Sequence, residues 1–104
     1  MDKLALMVTM QAKKGKESEI EKLLSDAVPV IEEERKTSTW QALRLGSGTF
    51  IILDTFPDEE SRQAHLSGKL AKTLMARTTE LFEKPITIEK LDIVAVKMPE
   101  VIQY

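Results

Sequence analysis

The pattern of apolar and polar positions divides the chain into strand-like and helix-like segments. The strand-like segments are residues 4–10, 37–45, 49–56 and 86–97. Between them, apolar residues recur at helical spacing, first after Ser18 and again between residues 58 and 82. The pattern therefore predicts the order strand, helix, strand, strand, helix, strand.

Individual residues indicate where the helices begin and end. Ser18 and Glu21 have the spacing of a capping box, in which two side chains satisfy free backbone N–H groups. Pro29 lies inside the first helical pattern and predicts a kink or a break, because proline lacks an N–H. Asp58 is expected in the first turn of a short helix that ends at Leu66. We expect Ser67 to cap the helix that follows.

The predicted order is that of a ferredoxin-like split βαβ fold of the α+β class, with helices on one face of an antiparallel sheet. The tight segment Gly46-Ser47-Gly48 predicts a hairpin between the second and third strands. A chain of 104 residues suits one domain, assigned to residues 1–98, with 99–104 as a C-terminal tail.

The predicted strands are apolar on both faces. In a sheet with one solvent-exposed face, apolar and polar residues should instead alternate along each strand. The uninterrupted apolar runs are residues 4–8, 50–53 and 93–96. Two helical regions can cover only one face, so a second copy of the same sheet is the economical cover for the other. The pattern predicts a homodimer; the alternative is a monomer with an exposed apolar face.

Composition narrows the range of functions. A net charge of −2 gives no reason to expect nucleic acid or an anionic membrane as a partner. The absence of cysteine excludes disulfides, a cysteine nucleophile and thiolate metal sites, and no segment approaches 18 apolar residues. A cytoplasmic location is expected. The sequence contains no phosphate-binding loop, nucleophile elbow or ligand spacing that would predict a cofactor or a metal.

The chemistry centres on the end of the third strand and the helix after it. His65 is the only imidazole and hence the natural general base near neutral pH, although a lone helix histidine is often packed and inert. Asp54 lies in an otherwise apolar strand, so its carboxylate needs a partner, either Arg62 or His65. We expect Arg62, because its guanidinium offers two parallel donors.

Four further residues complete the predicted site. Trp40 and Phe56 could wall a flat apolar pocket, although aromatic residues at strand ends often belong to the core. Arg44 could bind an anionic group or be merely solvated. His65 and Asp54 are therefore predicted as catalytic residues, and Trp40, Phe56, Arg44 and Arg62 as substrate-binding residues.

Residues 3 to 98 resemble the antibiotic biosynthesis monooxygenase superfamily, a group of dimeric α/β-barrel proteins that includes quinol and polyketide monooxygenases and haem-degrading relatives. The most specific match is Asp54-Thr55-Phe56 at a strand end, followed by a helix ending in Ala64-His65-Leu66. Further matches lie at residues 13–17, 28–29 and 39–44. The resemblance implies a small aromatic substrate between sheet and helices, with oxygen activated without flavin or metal.

This sequence departs from the superfamily's pattern at informative positions. The usual Glu-x-Trp is Asp54-Thr55-Phe56, and the position of the first-strand Asn of the haem-degrading branch holds Val8. These departures speak against haem degradation. Two hypotheses follow. The first is a cofactor-independent monooxygenase acting on a quinol or polycyclic phenol, with His65 as base. The second is a non-catalytic dimer that either binds a small ligand or is stress-responsive. An isomerase or dehydratase on the same scaffold would need only His65 and an acid.

Overall fold

The computed structural model describes residues 2–99, which form one four-stranded antiparallel sheet with helices on one face. The strands are β1 (Leu4–Gln11), β2 (Thr39–Leu45), β3 (Thr49–Phe56) and β4 (Thr87–Asp92). The helices are α1 (Glu17–Glu32), α2 (Glu59–Leu66), α3 (Lys69–Ala76) and α4 (Thr78–Leu81). The strand order β2-β3-β1-β4 confirms the ferredoxin-like α+β fold that the pattern predicted.

The β2–β3 hairpin is confirmed, and its tight connection explains Gly46. Leu45 pairs with Thr49 across the turn, and Gly46 has a φ of 65°, a left-handed conformation that costs glycine little. β3 then pairs antiparallel with β1 over the full length of both strands. The hairpin therefore delivers the end of β3 to the centre of the sheet.

Helix α1 differs from its prediction at its start, and the break that was one of the two outcomes predicted for Pro29 is not found. It begins at Glu17, after a Lys16 cap without a side-chain hydrogen bond, so the Ser18–Glu21 capping box is wrong. Pro29 does not divide the helix, which continues to Glu32. Pro29 is exposed near the C-terminal end, and the apolar face of the helix, which is buried on both sides of it, holds the turn in place.

The second helical region is divided more finely than its apolar pattern indicates. Asp58 caps α2 from outside, because its Oδ1 accepts a 2.8 Å hydrogen bond from the Ser61 N–H. Ser67 is the C-terminal cap of α2, and Gly68 is the N-terminal cap of α3. The prediction that Ser67 caps the following helix is therefore wrong. Arg77 then separates α3 from α4. None of the helices within residues 2–99 has the length and apolar character that crossing a bilayer requires.

The last strand is shorter than predicted. β4 ends at Asp92, which pairs with Leu4, the first residue of β1; beyond it, the Ile93 N–H donates one more hydrogen bond, of 2.8 Å, to the Lys3 carbonyl. Residues 93–99 have no regular secondary structure. Of the predicted tail, Pro99 is described and residues 100–104 lie outside the described part of the chain.

The two faces of the sheet differ in their covering. On one face, alternate strand residues are buried beneath the helices, among them Leu6, Val8, Met10, Phe50 and Ile52. The other face, here called the open face, carries apolar side chains that are half-buried or exposed in the single chain. These are Met7, Leu43, Ile51, Leu53 and Leu91. Ile93 and residues 96–99 border a cavity of about 770 Å³ on this side.

Candidate functional site

The histidine predicted from the sequence lies between two carboxylates. The Nε2 atom of His65 is 2.8 Å from Oδ2 of Asp54, and its Nδ1 is 2.6 Å from Oε1 of Glu34. The ring centroid lies 5.4 Å from that of Phe56. His65 is only 8% exposed and Asp54 is completely buried, so both groups lie beneath the surface.

Local sequence explains why Asp54 and His65 meet. Asp54 alternates with Ile52 and Phe56 on the helix-facing side of β3 and is therefore buried with them. The chain turns at Pro57 directly into α2, and the last turn of that helix returns His65 over the end of the strand. The predicted neighbourhood of Asp54 and His65 is thus present in the fold.

Glu34 is the member of the site that sequence reasoning missed. It lies in the loop after α1, where its Oε1 also accepts a 3.1 Å hydrogen bond from the Thr37 hydroxyl. Gly68 permits its close approach, since a Cβ atom there would lie 3.1 Å from the second Glu34 oxygen. Its segment is a run of charged residues, a pattern typical of a solvated helix end, so no local signal distinguished Glu34.

Arg62 does not pair with Asp54, and that prediction is wrong. Its guanidinium donates instead to the backbone carbonyls of Ala5, at 3.2 Å, and Leu91, at 3.5 Å, and to the carboxylate of Glu59. Arg62 thereby ties α2 to the two strands on the far side of Asp54. The orientation of α2 on the sheet directs His65, rather than Arg62, toward β3.

The surroundings of His65 favour its charged form. A neutral imidazole has one N–H donor, whereas the ring here faces an acceptor at each nitrogen. Burial lowers the pKa of His65, but the contacts with Asp54 and Glu34 more than offset it, so the pKa is raised above its ordinary value. Neither Asp54 oxygen accepts an aligned hydrogen bond, so the contact is an ion pair by proximity.

The predicted substrate-binding residues are divided between a groove and the core. Trp40 and Arg44 line a groove of about 500 Å³ between α1 and β2. The Arg44 guanidinium lies 5.3 Å from the Phe50 ring centre and 2.8 Å from the Glu21 carboxylate. Phe56 is completely buried, where it packs against His65, and lines none of the grooves described here.

Two further grooves reach the histidine site and share Glu34 and Thr37. One, of about 450 Å³, is also lined by Trp40. The other, of about 360 Å³, is lined by His65 itself. The indole Nε1 of Trp40 is buried and has no hydrogen-bond partner within residues 2–99. Trp40 and the carboxylate–histidine cluster thus border one continuous surface region.

The three acidic and imidazole groups do not form a metal site. Glu34 and Asp54 contact opposite nitrogens of the ring rather than one common point. Within the described part of the chain, no group of three histidine, aspartate or glutamate side chains is arranged to hold a metal ion.

Comparisons with solved structures place the fold among antibiotic biosynthesis monooxygenase-like proteins. One similar structure is a Caulobacter crescentus protein described as a candidate antibiotic biosynthesis monooxygenase, with 22% identity over 90% of this chain and 92% of the other, and a TM-score of 0.76. Another, described as an antibiotic biosynthesis monooxygenase, has 15% identity over 88% of this chain and 99% of the other, at the same TM-score. At these identities the likeness shows the fold alone.

A third structure shows the family. A protein of unknown function from Nitrosomonas europaea has 42% identity with this chain, covers 97% of it and 98% of its own length, and has a TM-score of 0.92. This chain belongs to the same family as the Nitrosomonas protein. No protein-family model and no curated protein matches the chain.

Proposed function

We propose that this protein is a cofactor-independent monooxygenase that oxidises a small phenolic substrate, such as a quinol or a polycyclic phenol. The observation that carries the proposal is a protonatable histidine, held by Asp54 and Glu34, beside a groove that contains the indole of Trp40. An indole stacks well on a flat aromatic ring, and a buried imidazole is a suitable proton acceptor. The shared fold with proteins described as antibiotic biosynthesis monooxygenases supports the assignment.

In the proposed reaction the phenol loses its proton to the site, with neutral His65 as the base. The resulting anion passes one electron to O2, and the superoxide formed combines with the phenoxyl radical at a ring carbon that carries hydrogen. Protonation by His65 gives a hydroperoxide. That carbon then loses its hydrogen as a proton while the O–O bond breaks, so one oxygen atom remains as a ring carbonyl and the other leaves as water. The substrate supplies all the electrons. Because His65 must first lose the proton that its two carboxylates favour, the rate should rise as the pH passes its raised pKa.

We propose further that the protein acts as a homodimer joined through the open face. Apolar side chains of three adjacent strands meet there, with Leu43 paired to Ile51 and Leu53 paired to Met7. A contiguous apolar sheet face is a common interaction surface, and closed homodimers are the commonest assembly. The partner's sheet would also enclose the cavity that Ile93 and residues 96–99 border.

The test is oxygen consumption with a panel of quinols and polycyclic phenols in chelator-treated buffer. We expect turnover by the wild type, loss of turnover in His65→Gln, and a raised KM in Trp40→Leu. Met75→Ala changes an exposed side chain on α3, away from the grooves, and should retain wild-type turnover. Binding of a phenol without oxygen consumption would refute catalysis and support the non-catalytic ligand-binding module.

A further inference from the structure

Glu34 occupies the solvent side of the histidine cluster. Its side chain is 22% exposed, whereas that of Asp54, on the other side of the ring, has no exposed surface. A single oxygen, Oε1, contacts both the His65 ring and the Thr37 hydroxyl. Glu34 therefore lies between the imidazole and both grooves of which it forms part of the lining.

We infer that Glu34 is a positioning residue that holds the His65 ring between two carboxylates and governs when the ring releases its second proton. The catalytic consequence of this inference rests on the proposed function, but the effect on the ring does not. No local sequence feature assigns Glu34 to this site, because it is 31 residues away from His65 in the chain.

Asp54 and Glu34 are buried to different extents, and this difference decides which of their contacts with His65 breaks when the ring loses a proton. Neutral imidazole can donate to only one of them. Asp54 is completely buried and would be left as an unpaired charge, which is costly. Glu34 is partly exposed and can exchange its contact for water. Deprotonation should therefore release Glu34 from the ring and leave Nδ1 open to the Thr37 hydroxyl, which lies 3.4 Å away, and to the shared grooves.

Other charged groups surround His65 at greater distance. Those that line its groove are Glu33, Arg35, Lys36 and Lys69. Lys36 is engaged with Glu60 at 3.3 Å. Burial opposes protonation of the ring, whereas the two carboxylates in contact with it favour protonation. The balance is consistent with the raised pKa of His65.

The test is an NMR titration of the single histidine in wild type and three variants. Removing the charge in Glu34→Gln should lower the pKa of His65 by about one unit, the usual scale for losing a contacting opposite charge. Glu34→Asp keeps the negative charge on a shorter side chain that no longer contacts the ring. If Glu34 acts by positioning the ring, the pKa of His65 should fall in this variant as well. Glu83→Gln makes the same charge change at an exposed position whose backbone N–H bonds to Gln11, at the end of β1 away from the Leu6–Asp54 pair, and should leave the pKa unchanged.

The outcomes separate this inference from the proposed function. A wild-type pKa in Glu34→Asp would overturn the positioning role, as would an unchanged pKa in Glu34→Gln; if Glu34→Gln does not fold, Glu34→Asp decides. If turnover exists, its pH–rate profile should move to lower pH in Glu34→Gln by the same amount as the titration. A shifted titration in a protein without turnover would uphold the role of Glu34 and reject the oxygenase.

Discussion

The Nε2 atom of His65 lies 2.8 Å from Oδ2 of Asp54, a carboxylate with no exposed surface. Burial of a carboxylate is unfavourable unless a partner compensates for the lost water. Arg62, on the same helix, is bonded to carbonyls and to Glu59 instead. The charged form of His65 is therefore what compensates Asp54, and the protonation of one ring is linked to the stability of the fold.

The first prediction is that the free energy of unfolding falls at alkaline pH. The pKa of His65 is raised in the folded protein, so the folded state binds the proton more tightly than the unfolded chain does. The resulting stabilisation is complete below the unfolded pKa of about 6.5 and is lost as the pH rises through the folded pKa. Each unit by which folding raises the pKa of His65 contributes about 1.4 kcal/mol to the free energy of unfolding. Urea unfolding at a series of pH values from 6 to 10 measures the loss.

A His65→Gln variant is the control for that experiment, because it lacks the titrating group. Its unfolding free energy should be lower than that of the wild type at pH 6, and the decline assigned to His65 should be missing. A wild-type decline that persists in full in His65→Gln would show that another group is responsible.

The second prediction concerns Asp54→Asn. Removing this negative charge disfavours the imidazolium, so the pKa of His65 should fall by about one unit or more, as measured by NMR titration. Glu59→Gln is the matched control, because Glu59 pairs with Arg62 rather than with His65. An unchanged titration in Asp54→Asn would show that the short distance between the two groups carries no electrostatic coupling.

The third prediction concerns the proposed dimer. Leu53 lies near the centre of the open face, paired to Met7 on β1 and to Gln41 on β2. Leu53→Glu should dissociate the dimer, since burying an unpaired carboxylate against a partner's sheet is unfavourable. Sedimentation at micromolar concentration would show the change. Met75→Glu places the same charge on exposed α3 and should remain dimeric; a wild-type protein that sediments as a folded monomer would refute the interface.

The sequence carried strong signals wherever a structure depends on near neighbours. The glycines at 46 and 48 and the apolar runs beside them predicted the hairpin, and β3 has the predicted bounds, Thr49–Phe56. The same local logic placed His65 near Asp54, because α2 starts directly after the strand that carries Asp54. Signals that depend on a single residue type were weaker, as Ser18 and Ser67 show, because neither is the cap of its helix.

By itself, then, the sequence determined the order of elements, the β2–β3 hairpin and the neighbourhood of its only histidine. These follow from periodicity and chain continuity, which act over a few residues. Only the tertiary structure decided that Asp54 faces His65 instead of Arg62, and that Glu34 closes the other side of the ring. The rotation of α2 on the sheet and the path of the loop after α1 are set by packing between segments that are distant in the chain. Such packing produces no periodic pattern of apolar residues, so the sequence alone does not reveal it.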